Sequence, residues 1–133
     1  MNFMDIVTNK IVVEKYNFET IMEENEQFEN KIELEVHEVE PVNGNVELMS
    51  KGKIFKITIP FLLVLENFRI DGRISRIIQL KDFFGDFSDL EAVDVEGLSN
   101  PLIDYIKRLT YDVTEIAFDE PGVSLDFNAN HNS

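Results

Sequence analysis

Few residues in this chain have the means to do chemistry. Its 133 residues include 2 histidines and no cysteine. His37 follows Glu33 and Glu35 at alternating positions, so an extended strand would carry all three on one face. Two carboxylates and an imidazole can form a weak metal site. A second histidine to complete it is missing, and the plainer reading is a solvated polar face. His131 lies in a polar tail. Asp82, Asp86, Asp89 and Glu91 gather around Gly85. A calcium loop needs ligands at alternating positions and a glycine sixth, and this spacing does not match. With 26 acidic residues some carboxylates must fall close together, and nothing selects one pair for acid–base work. No glycine-rich phosphate loop, nucleophile elbow or His-Glu-x-x-His motif occurs. The expectation is a protein with no catalytic residue, no metal site and no cofactor.

The aromatic residues carry more information. There are 11 phenylalanines, 3 tyrosines and no tryptophan. Phe83, Phe84 and Phe87 cluster beside Gly85, with Leu90 just beyond. One reading makes them plugs between a sheet and a helix. The other makes them the lip of a groove that accepts apolar side chains of another polypeptide.

The elements that must position these residues follow from hydrophobic period. Residues 11–19 read as a first strand with Tyr16 and Phe18 among polar neighbours. Residues 31–39 alternate, with Ile32, Leu34 and Val36 toward the core and Glu33, Glu35 and His37 away. The step to Val39 breaks the period and suggests a β-bulge near His37 and Glu38. Pro41 ends this strand, and Asn43-Gly44 marks a turn. A third strand runs from Ile54 toward Glu66. From Phe61 to Leu65 it is apolar on both faces, which calls for cover on both. Pro60 lacks an N–H and predicts an edge position or a bulge. A fourth strand spans residues 68–75, where Gly72 in the inward row admits a close neighbour. Ser88-Asp89-Leu90-Glu91 matches a capping box for a short helix stopping near Gly97. A main helix starts at Ser99 or Asn100 with Pro101 in its first turn. Its apolar stripe is Leu102, Ile106, Leu109, Val113 and Ile116, and residues 119–122 end it. Residues 123–127 form an extended coda. Four strands followed by helix predict an α+β fold, an antiparallel sheet with a long C-terminal helix on one face.

One domain fits this length, covering residues 11–127, with a flexible lead-in at 1–10 and a disordered tail at 128–133. A hydrophobic fraction of 44% suits a globular core. A formal charge of −14 repels phosphate backbones and anionic membranes, which argues against nucleic acid as a partner. No apolar run approaches the roughly 20 residues of a membrane span, so no membrane insertion is expected. The N-terminus lacks the pattern of a secretory signal, and the missing cysteines fit a reducing cytoplasm.

The order of elements resembles the SecB-type protein-export chaperones from Ile11 to Phe127. Asn100-Pro101-Leu102-Ile103 resembles the opening of that family's long helix. Pro121-Gly122-Val123-Ser124-Leu125-Asp126-Phe127 resembles its coda. A closer likeness is to a family of small uncharacterised SecB-like bacterial proteins. Residues 108–117 are similar to that family's helix and residues 60–65 to its third strand. The resemblance implies binding of unfolded or extended polypeptide without a nucleotide, a link to protein export, and assembly into a dimer or tetramer. The longer C-terminal tail of the export chaperone is absent from this sequence. Two functions stay open. The first is chaperone-like binding, with clients on Phe83, Phe84, Phe87 and Leu90 beside an acidic face at Glu33 and Glu35. The second is an adaptor that docks one folded, basic partner. An enzyme is a distant third.

Overall fold

Alternating polar and apolar residues build the sheet first. The computed structural model describes residues 6–8, 10–21, 30–40, 47 and 50–126. Among these, six strands precede one long helix. They are β1 (Ile6–Thr8), β2 (Val12–Thr20), β3 (Lys31–Ile32), β4 (Glu35–Val39), β5 (Ile54–Val64) and β6 (Phe68–Leu80). The helix α1 spans Ala92–Phe118 after a 3-10 turn at Phe87–Asp89. All described pairings are antiparallel. β6 and β5 form the centre, β1 and β2 flank β6, and β3 and β4 flank β5. The four expected strands are thus present, and the second is split into β3 and β4. Strand β1 lies within the expected flexible lead-in. The expected turn at Asn43-Gly44, the end of the strand at Pro41 and the tail at 128–133 lie outside the described residues.

One face of the sheet is the core. Phe55, Ile57, Ile59, Phe61 and Leu63 of β5 are buried, as are Phe68, Ile70, Ile74, Ile78 and Leu80 of β6. Complete burial of such a side chain contributes about 1.5–3 kcal/mol. Leu62 and Val64 point to the other face and are half-buried, so the doubly apolar segment of β5 is sealed on one side only.

Pro60 is neither at an edge nor in a bulge. β5 is central, and the register runs through Pro60 opposite Arg73. The missing N–H is felt on the other side. Glu33 N donates to Pro60 O at 3.1 Å, but Pro60 returns nothing, and the ladder breaks between β3 and β4 at that point. The register is continuous across the break, with Ile32 opposite Phe61 and Val36 opposite Ile57. It stays regular through His37 and Glu38. The irregularity lies instead in β2, between Val13 and Lys15. Lys15 O there comes so close to Gly72 that a Cβ on Gly72 would lie 2.0 Å from it.

The helix differs from the expected pair. Gly97 does not stop it and Pro101 does not start it, for both lie inside one continuous α1. Pro101 cannot bond the carbonyl of Gly97, and its ring crowds that carbonyl. Gly97 has no Cβ and nothing within 4 Å of where one would be, so the disturbed turn has room. The expected capping box at Ser88 is also displaced. Asp86 N donates to Asp89 Oδ2 at 3.0 Å, closing the 3-10 turn, and α1 follows from Glu91 without a side-chain cap.

The buried face of α1 comprises Leu98, Ser99, Leu102, Ile103, Ile106, Thr110 and Thr114. The expected stripe is right at Leu102 and Ile106 and then drifts off. Leu109 and Val113 are half-buried and Ile116 is 80% exposed. Thr110 and Thr114 take the inner positions because their hydroxyls find partners. Tyr16 Oη lies 3.1 Å from Thr110 Oγ1. Thr114 Oγ1 donates to Thr110 O at 2.8 Å and accepts from Val123 N at 2.8 Å. The second bond holds the coda, with half-buried Val123 and Leu125 on the core. Aromatic clusters pin both ends of α1. Phe118 meets Phe18 and Phe68 at 5.8 and 6.1 Å, and Phe55 meets Phe87 at 5.4 Å near the other end.

Candidate functional site

The aromatic loop after β6 is tied down by backbone. Lys53 N donates to Phe83 O at 2.8 Å, and Asp82 N donates to Lys51 O at 2.7 Å. These bonds hold the loop over the start of β5. Phe83 and Phe87 turn inward onto Phe55, at 6.4 and 5.4 Å between ring centroids. Leu90 also packs against the core. Phe84 points out, 56% exposed. Three side chains of the loop therefore plug the layer between sheet and helix, and one is exposed to solvent.

β4 borders the same place. Its residue Glu38 lies opposite Phe55, the ring that Phe83 and Phe87 touch. β4 is an edge strand, since no described strand pairs with its far side. Glu33 directs its N–H toward β5, so by alternation Leu34, Val36 and Glu38 direct theirs away from the sheet. Their side chains lie on the core face, because Val36 pairs with Ile57 and Glu38 with Phe55. In the same register Leu34 falls opposite Ile59. Leu34 is 37% exposed, although its period marks it for the core, because it stands at the rim. A row of outward amides thus runs beside partly exposed apolar side chains and ends near the aromatic loop.

Glu33 and Glu35 do not join this surface. Glu35 pairs with Thr58 and His37 with Lys56, which puts them on the opposite face of the sheet, exposed to solvent. Among the described residues no three metal-ligating side chains come together, and Asp89 is engaged in closing the 3-10 turn.

The sheet face away from α1 holds a cluster that hydrophobic period does not reveal. Glu14, the extra residue of the β2 irregularity, makes ion pairs with Lys56 and Arg73, both at 3.0 Å. Ser75 Oγ donates to Glu14 Oε2, the oxygen that Lys56 also meets, while Arg73 holds Oε1. The Ser75 hydroxyl, then Lys56 and Arg73, hold the Glu14 carboxyl down at about 2. Asp71 lies nearby between Lys15 and Arg69, at 3.4 and 3.8 Å. The only sequence signal was the alternation of Arg69, Asp71 and Arg73.

Comparison with known proteins places this geometry. The profile of a family described as "Protein of unknown function (DUF1149)" matches residues 4–127. No curated protein matches significantly. A solved structure of a protein of unknown function from Streptococcus agalactiae is similar with a TM-score of 0.78 at 27% identity, covering 92% of this chain and 97% of that one. The SecB-like chaperone Rv1957 of Mycobacterium tuberculosis was solved in complex with a ChAD peptide from the HigA1 antitoxin. It superposes with a TM-score of 0.57 at 13% identity, covering 92% and 90%. The fold is SecB-like. No helix among the described residues is long and apolar enough to cross a membrane.

Proposed function

The chain belongs to the DUF1149 family, and on that premise we propose that it binds unfolded or extended polypeptide in a chaperone-like manner. The carrying observation is the β4 edge. Outward amides at Leu34, Val36 and Glu38 stand beside the partly exposed Leu34 and end near the exposed Phe84. An extended client adds as a further strand, its main chain bonding those amides without regard to sequence. Its apolar side chains fall on Leu34, Val36 and the loop of Phe83, Phe84, Phe87 and Leu90. The peptide complex of the SecB-like mycobacterial protein supports this reading by likeness of fold. Service to protein export in the cytoplasm, by a homo-oligomer, is part of the same proposal.

The test dilutes a chemically unfolded model protein into buffer with and without this chain. Light scattering should fall, and the two proteins should co-elute on gel filtration. Phe84→Ser should weaken both effects without unfolding the chain, since the residue is exposed. Unchanged aggregation at several-fold excess would overturn the reading.

A second reading rests on the formal charge of −14 and on exposed Glu33 and Glu35. An adaptor would dock one folded, basic partner there, and salt would weaken the complex. Glu33→Lys with Glu35→Lys separates the two, since it should abolish adaptor docking and spare client binding at β4.

A further inference from the structure

After α1 the chain doubles back along it. Asp119 turns the backbone in the left-handed conformation, at φ 51°. By Gly122 the main chain lies against the Tyr111 carbonyl, so close that a Cβ would fall 2.3 Å from its oxygen. Burial then alternates: Val123 and Leu125 are half-buried on the core, and Ser124 and Asp126 are exposed. That is the pattern of extended chain laid on an apolar surface.

Little holds this coda. Val123 N donates to Thr114 Oγ1 at 2.8 Å. Among the described residues no backbone-to-backbone bond joins 122–126 to the sheet or to α1. The strands and α1 carry ladders of such bonds, so the coda opens at less cost than either. Yet what it rests on belongs to the core, for Thr114 is 1% exposed. The seat therefore offers one buried hydroxyl as acceptor for a main-chain N–H, with apolar surface around it. Its present occupant has the chemistry of a client: extended main chain, aliphatic side chains inward at alternate positions, polar ones outward.

We propose that the coda is a strap over a second polypeptide seat. It yields to an extended client segment with aliphatic side chains at alternate positions, one N–H of which takes over Thr114 Oγ1. This rests on the polypeptide-binding reading and adds a seat toward the Phe118 end of α1, away from the aromatic loop at its start. A closed strap lowers the apparent affinity of that seat by the ratio of closed to open forms, so loosening the strap tightens binding.

The test follows amide exchange of the full chain and its binding of a reduced, alkylated model protein that cannot refold. In the free chain the Val123 amide should be protected about a hundredfold less than that of Thr114, since the strap opens without unfolding α1. The model protein should lower protection at Val123 further, and saturably. Val123→Ser with Leu125→Ser should tighten its binding about fivefold or more, whereas a coda that is only structural predicts weaker folding and no gain. If the double variant fails to fold, Leu125→Ser alone carries the test. Equal protection at Val123 and Thr114, or no gain in affinity from the folded variant, would overturn the proposal. Co-elution of the model protein with Val123 unmoved also overturns it and leaves the β4 site standing. Absence of co-elution for native chain and variant alike overturns both.

Discussion

Glu14 shows how one carboxylate can join strands. It bonds Arg73 and Ser75 of β6 and Lys56 of β5 from its place in β2. Its folded pKa is about 2, against an ordinary 4.5, so the folded state holds the charged form more strongly than the unfolded chain does. The stabilisation is therefore complete above pH 4.5 and fades as pH falls through about 2. Glu14→Gln should cost about 0.5–1 kcal/mol at neutral pH, the range of partly exposed pairs. Urea unfolding of both proteins should show that gap closing as the pH approaches 2. Gly72 makes the complementary case by having no side chain. A Cβ there would lie 2.0 Å from Lys15 O. Because the obstacle is backbone, Gly72→Ala should cost about 2 kcal/mol or more, visible as a lower melting temperature. Gly72 was legible in sequence as a residue that admits a neighbour, since it interrupts an otherwise apolar row. Glu14 was not, because its partners stand 42 to 61 positions away and only the β2 irregularity brings them together.

At the scale of elements, period and punctuation gave the strands and misplaced the helix start. Gly97 and Pro101 are breakers by local preference, and tertiary packing overrode both. Leu98 and Leu102 on either side are buried against the sheet, and an unbroken helix keeps both there. α1 and β6 are also matched in length, both about 40 Å at ~1.5 and ~3.3 Å per residue. The stripe error has a related cause. Buried Thr110 and Thr114 are polar by type, so a search for apolar residues passed over them and followed Ile116 into solvent. Pro101 remains a local cost within α1. Pro101→Ala restores an N–H for Gly97 O and should stabilise the fold by about 1 kcal/mol in urea unfolding, with a loss of stability contradicting this account. Of the candidate binding residues, the sequence marked the Phe83–Phe87 cluster by composition. It did not mark Leu34 as exposed, because alternation assigns a face and says nothing about how near the rim a strand lies.

The whole molecule combines a strongly acidic surface with apolar side chains left outside the core. Ile116 is 80% exposed, Tyr105 39% and Val13 40%. Tyr105 and Ile116 follow the half-buried Leu109 and Val113 along one side of α1, and we take that side as the contact between copies in the proposed homo-oligomer. Sedimentation should give a dimer or tetramer for the native chain and a smaller species for Ile116→Lys; a monomer for the native chain would contradict the assembly. The central claim, however, is about β4. The most direct measurement is amide hydrogen exchange on the native chain with and without an unfolded client. The account predicts slowed exchange at Leu34, Val36 and Glu38, whose N–H groups point away from the sheet, with little change at Glu35 and His37, which already face β5. Client binding that leaves those three amides unprotected would contradict it.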